Sequence, residues 1–132
     1  MKDHDFSKLV HSAGNPLEFE MLFYEQLLVR HDDYYEAYFP LAEIYTQLGM
    51  YEKGLAIDRR LSELYPDDPS VWYNLACSLS LCMKLVDSLD ALETSVKLGF
   101  DDPELLRTDP DLANIRSTSR YRRIMYSFYV HE

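Results

Sequence analysis

Glycine and proline are scarce in this chain, which has four and six of them in 132 residues. A sandwich of short strands needs many tight turns, so this shortage disfavours strands and leaves an all-α fold. The few turn formers are expected between helical segments rather than inside them. Cysteine is scarcer still. Cys77 and Cys82 stand five apart in one predicted helix, which turns their side chains about 140° away from each other and excludes a disulfide between them. Both read as reduced core thiols, and no C-x-x-C metal spacing is present. Long apolar runs are missing as well: nothing approaches the ~18 to 20 residues that span a bilayer, and MKDHDFSKLV lacks the apolar run of a signal peptide. A soluble cytoplasmic protein without membrane insertion is expected. Basic residues are the last shortage. Thirteen Lys and Arg against 23 Asp and Glu give a net charge of −10, a sign that repels nucleic acid and anionic membranes.

What is present is helical periodicity. In residues 35 to 68, Tyr38, Leu41, Ala42 and Tyr45 recur at i, i+3, i+4 and i+7, and Gly49 interrupts them. A second stripe of Leu55, Ile57, Leu61 and Leu64 runs on to Pro66. The segment is therefore two amphipathic helices joined by a turn. Residues 69 to 102 repeat it with a period of 34: Trp72 matches Tyr38, Leu75 matches Leu41, Ala76 matches Ala42, Cys82 matches Leu48 and Leu98 matches Leu64. Asp67-Asp68-Pro69 recurs as Asp101-Asp102-Pro103, and each reads as a helix start with an aspartate cap and proline in the first turn.

Upstream, Phe6, Leu9, Val10 and Ala13 suggest a short helix ending at Gly14. Asn15, Pro16 and Glu18 then open another that should reach about Arg30. This second helix, LEFEMLFYEQLLVR, is more apolar than one stripe requires, so it is expected to be covered on several sides or to offer a patch to a partner. Carried back by 34 residues, the period sets Asn15 level with Gly49 and Met83 at the turn between paired helices. Asn and Gly suit a left-handed turn there; Met does not.

Two helices per 34-residue unit resemble the tetratricopeptide repeat, whose pattern W-x2-L-G-x2-Y, A-x3-F, P is met by Tyr38, Leu41, Ala42, Tyr45, Gly54 and Pro66, and again by Trp72, Leu75, Ala76, Leu79, Ser88 and Leu92. Departures are Asp58, which stands where a large apolar residue is usual, Gly99-Phe100 in place of the closing proline, and Glu20 in place of a small residue. Residues 1 to 34 resemble a degenerate unit. Residues 103 to 132, with Asp109-Pro110-Asp111-Leu112 and Arg120-Tyr121, look like the segment that closes many small bacterial proteins of the family. Ser117 to Ser119 can cap its last helix, in which Tyr121, Ile124, Met125 and Phe128 form the stripe. The resemblance implies a single domain over 1 to 132, a right-handed superhelical array of antiparallel helix pairs with a C-terminal capping helix.

Catalytic constellations are absent from the sequence. His4, His11, His31 and His131 form no H-E-x-x-H pair, and there is no glycine-rich phosphate loop or G-x-S-x-G elbow. Asp67-Asp68 and Asp101-Asp102 read as helix caps rather than paired acids or a calcium loop. No enzyme activity and no cofactor are expected.

The family resemblance instead assigns a concave groove to Glu36, Phe39, Pro40, Glu43 and Gln47, continued by Ser70, Tyr73, Asn74, Cys77 and Leu81. Exposed Phe39 and Tyr73 beside Asn74 would anchor a peptide. The same residues are equally what the solvated side of an amphipathic helix presents. The carboxylate clamp by which some members of the family grip acidic chaperone C-termini is rejected: Asn74 fits, but Phe39, Glu43, Glu104 and Thr108 replace its cations. A protein or peptide partner, basic or neutral, is expected. The alternative is a self-assembling scaffold, joined through residues 17 to 29 or through Tyr126, Phe128 and Tyr129. Arg116, Arg120, Arg122 and Arg123 read either as a solvated face or as contacts to the acidic repeats of the same or another copy.

Overall fold

A computed structural model describes residues 15 to 130. The expected helix of Phe6 to Ala13, and His4, His11 and His131, lie outside the described residues. Among those described there is no strand; there are seven α-helices and two short 3-10 helices. No helix among them is long and apolar enough to cross a membrane. The chain forms two compact units that divide between Gly54 and Leu55.

In the first unit, α1 (Pro16–Arg30) begins where predicted, with Asn15 Oδ1 accepting from the Leu17 and Glu18 amides at 3.1 and 3.5 Å and proline in the first turn. None of its residues is fully buried, and Phe19, Phe23 and Val29 are exposed. A 3-10 helix at Tyr35–Ala37 leads into α2 (Tyr38–Gln47), which packs on α1. Leu41, Ala42, Ile44 and Tyr45 are buried and Tyr38 is half-buried. The Tyr45 hydroxyl donates to Glu25 Oε2 at 2.5 Å, and Lys53 Nζ lies 5.6 Å from the centre of its ring. Burial, first of all, and this bond to Glu25 push the Tyr45 phenol well above its ordinary pKa.

The helix α3 (Tyr51–Leu64) crosses the division between the units. Gly54 and Pro40 lie inside helices, against the expectation that turn formers would fall between them. Pro40 sits in the first turn of α2, where its missing N–H removes no helical bond. Gly54 is buried beneath α2, where a Cβ would meet Thr46 Oγ1 at 3.2 Å and the Ala42 carbonyl at 3.5 Å. Close backbone approach therefore outweighs the propensity penalty of glycine in a helix.

The second unit is built on α4 (Pro69–Leu81) and α5 (Leu85–Lys97), which run antiparallel. Ser88 Oγ donates to the Ala76 carbonyl and Ser95 Oγ to the Pro69 carbonyl, each at 2.7 Å. Small side chains bring the two helices close, and each buried hydroxyl is satisfied by its neighbour's backbone. Asp68 and Asp102 cap α4 and α6 (Pro103–Thr108), accepting from the Ser70 and Leu105 amides at 2.9 and 3.0 Å. A 3-10 helix at Pro110–Leu112 precedes α7 (Ser119–Tyr126), whose cap is Thr118. The core holds Leu75, Ala76, Leu79, Leu89, Leu92, Leu106, Leu112, Ile115, Tyr121 and Ile124. Met125 and Phe128 pack on it half-buried.

Helix boundaries recur at the spacing of 34. Leu48 and Cys82 end α2 and α4, Tyr51 and Leu85 open α3 and α5, and Pro69 and Pro103 open α4 and α6. At the turn, Gly49 has φ +79 and Met83 φ +61, and Met50 N donates to Tyr45 O as Lys84 N does to Leu79 O. Met83 thus takes the left-handed conformation that its residue type resists, because the Schellman bonds at the end of α4 require it.

Candidate interaction surface

The first five groove residues lie in the first unit on one side of the 3-10 helix and α2, opposite Leu41, Ala42, Ile44 and Tyr45. Glu36, Glu43 and Gln47 are exposed, while Phe39 and Pro40 are half-buried. The face carries two carboxylates, an amide, an aromatic edge and a proline, and no cation. It is anionic, with the half-buried Phe39 and Pro40 among its carboxylates.

In the second unit the corresponding face of α4 is open only in part. Ser70 and Asn74 are exposed and Leu81 is half-buried. Tyr73, expected to be an exposed anchor, is only 5% exposed, and Cys77 is buried beside it. The chain's own segment covers them. The Tyr73 ring stacks on Phe100 at 4.5 Å between centroids and 3° between planes. Its hydroxyl donates to Asp109 Oδ2 at 2.6 Å, and Cys77 Sγ lies 3.8 Å from the same oxygen. Asn114 Nδ2 donates to the Ser80 carbonyl at 2.9 Å, and Leu112 and Ile115 are fully buried. Tyr73, Cys77 and Ser80 lie at i, i+4 and i+7 of α4, so residues 109 to 115 lie along one stripe of it.

Cys77, Asp109 and Asp111 bring three metal-ligating atoms within 4.8 Å of one another. The donors are already committed: Asp109 Oδ2 serves Tyr73 and Cys77, and Oδ1 accepts from the Asp111 amide at 3.0 Å. Burial, then the carboxylate charges of Asp109 and Asp111, push the Cys77 thiol well up, and burial also raises Tyr73 and Asp111. A protonated, buried thiol is neither nucleophile nor good ligand. The cluster is a hydrogen-bonded staple holding the terminal segment on α4. Cys82 is half-buried at the end of α4 and packs against the core from its edge.

A buried carboxyl joins α3 to α4. Asp58, at the position where the resembled family carries an apolar side chain, is 5% exposed and accepts from Ser78 Oγ at 2.5 Å. Burial pushes its pKa up to about 6, with the Ser78 bond pulling the other way. Of the tail arginines, Arg120 binds Asp90 at 2.6 Å and Glu93 at 2.9 Å, both on α5, so it does contact an acidic repeat of the same copy. Arg116 Nη2 donates to the carbonyls of Leu106 and Asp109 at 2.9 and 2.6 Å. The roles of Asp109, Asn114 and Ser78 were not readable in the sequence, since each depends on a partner 20 or more residues away.

No family model matches the chain. It is similar to a chloroplastic protein of Arabidopsis thaliana, with 31% identity over 87 residues. That stretch is 64% of this chain and 26% of the relative, so the chain spans about a quarter of that protein's length.

Proposed function

We propose that the chain is a non-enzymatic, tetratricopeptide-like adaptor that binds a basic or neutral segment of a partner protein on the Glu36, Phe39, Pro40, Glu43 and Gln47 face. The observation that carries this reading is the difference between two matching helix faces: Asp109 and its segment cover Tyr73 and Cys77 in the middle of that of α4, while Glu36, Glu43 and Gln47 stay exposed along α2 and the turn before it. The helix boundaries repeated every 34 residues support a right-handed array of helix pairs closed by α7. A preformed helical face avoids much of the ordering cost of binding. The surplus of carboxylates argues for a protein partner rather than nucleic acid, and we place the protein in the cytoplasm. The relative's chloroplast location concerns a protein about two and a half times as long, of which the match covers 26%.

The test is selection of peptides from a displayed library, followed by titration of a selected peptide against wild type and the Glu36→Lys, Glu43→Lys double variant. Two reversed surface charges should weaken a basic peptide by about tenfold or more, with helical circular dichroism unchanged. Equal binding by the two proteins would remove the α2 face from consideration.

A further inference from the structure

The two sides of α7 repeat one chemistry. On the inner side, beside buried Tyr121 and Ile124, Arg120 reaches Asp90 and Glu93, one turn apart on α5. On the outer side Arg122 is exposed, as is Arg123 at the edge nearer Glu93 of α5, and Tyr126 and, in the turn that follows, Tyr129 are 68% and 66% exposed. Arg122 spends one nitrogen on the Ser117 carbonyl at 3.0 Å, which leaves most of its donor fork unused. Cationic and aromatic side chains thus share a surface in an otherwise acidic chain: residues 1 to 102 hold 8 Lys and Arg against 19 Asp and Glu, while residues 103 to 132 hold 5 against 4.

We infer that this outer face of α7 docks on the acidic surface of a second copy of the chain, as Arg120 docks on α5 within one copy. Exposed carboxylate pairs at Asp32-Asp33, Asp67-Asp68 and Asp101-Asp102 provide the complementary charge, and the tyrosines add contact area at low entropy cost. The net charge of −10 opposes association at long range. Screening over about 8 Å at physiological ionic strength confines that repulsion, while pairs in contact persist. The inference deepens the self-assembly reading and is independent of the α2 face.

Sedimentation velocity of the full chain across a concentration series tests it, with wild type, Arg122→Glu/Arg123→Glu and Tyr126→Ser. The wild-type mass should rise above 15.6 kDa with concentration. Both variants should keep their helical signal, and the charge reversal should weaken association by about tenfold. Arg122→Lys, mixed as heavy- and light-isotope chains and treated with a carbodiimide, should give cross-links between copies from position 122 to aspartates. A wild type that stays monomeric at every concentration, or a charge-reversed variant that associates like wild type, would overturn the inference. So would an absence of inter-copy cross-links. Peptide binding at the α2 face is read separately and is unaffected by these substitutions.

Discussion

The Tyr73 hydroxyl lies 2.6 Å from Asp109 Oδ2, across 36 residues of chain. This bond turns a would-be groove wall into the seat of the chain's own terminal segment. Tyr73→Phe removes the donor while keeping the stacked ring, and should cost about 1.5 to 3 kcal/mol, the range for a hydrogen bond to a charged group. Asp109→Asn should cost at least as much. Urea midpoints of the two single variants and the double variant form a cycle, and additive losses would show that the pair does not act as a unit.

Asp58 makes stability depend on pH in the direction opposite to most acids. Its folded pKa of about 6 exceeds the ordinary 3.8, so the folded state binds the extra proton. Its contribution is fully present below about 3.8 and is lost as pH rises through about 6. The difference of two units corresponds to about 3 kcal/mol at most. Glu93, held below its ordinary value by the Arg120 bonds, slopes the other way. Comparing wild type with Asp58→Asn isolates the effect: their stability difference should change between about pH 4 and about pH 7. A constant difference would mean that Asp58 is ionised at both ends.

Met83→Gly should stabilise the protein by about 0.5 to 1 kcal/mol, the net of relieving a left-handed Met and freeing the unfolded backbone. Met83 is largely exposed and at φ +61, so little packing is lost. A thermal midpoint that falls would show that the side chain contributes more than its conformation costs.

Arg120→Ala removes two carboxylate partners from α7. A loss of about 1 kcal/mol is expected, shrinking in about 1 M salt, because the carboxylates are partly solvated. A loss unchanged by salt would assign the effect to packing of the side-chain stem instead.

Leu75→Ala, at a buried position between the helices of the second unit, should cost about 2 to 5 kcal/mol. The outcome checks the 34-residue register, since a change near zero would place position 75 on the wrong face.

Helices were legible in the sequence because local rules fix them. The Asn15, Asp68 and Asp102 caps, the prolines at 16, 69 and 103, and the stripe through Leu41 and Ala42 formed where their spacing indicated. Gly54 and Met83 did not follow those rules, since a packed neighbour decided one and a helix terminus the other. Two of the expected groove residues are buried for a related reason. Tyr73 and Cys77 lie on the side of α4 that amphipathic reading leaves to solvent, and Phe100 together with the return of residues 109 to 115 covers them.

The sequence by itself determined the all-α class, the helix boundaries and the 34-residue recurrence, because capping and periodicity act within a few residues. Tertiary structure decided the covering of Tyr73 and Cys77, the partners of Asp58 and Arg120, and the exposure of Arg122, Arg123 and Tyr126. Burial and charge pairing are properties of segments brought together across the chain, and no local pattern specifies them.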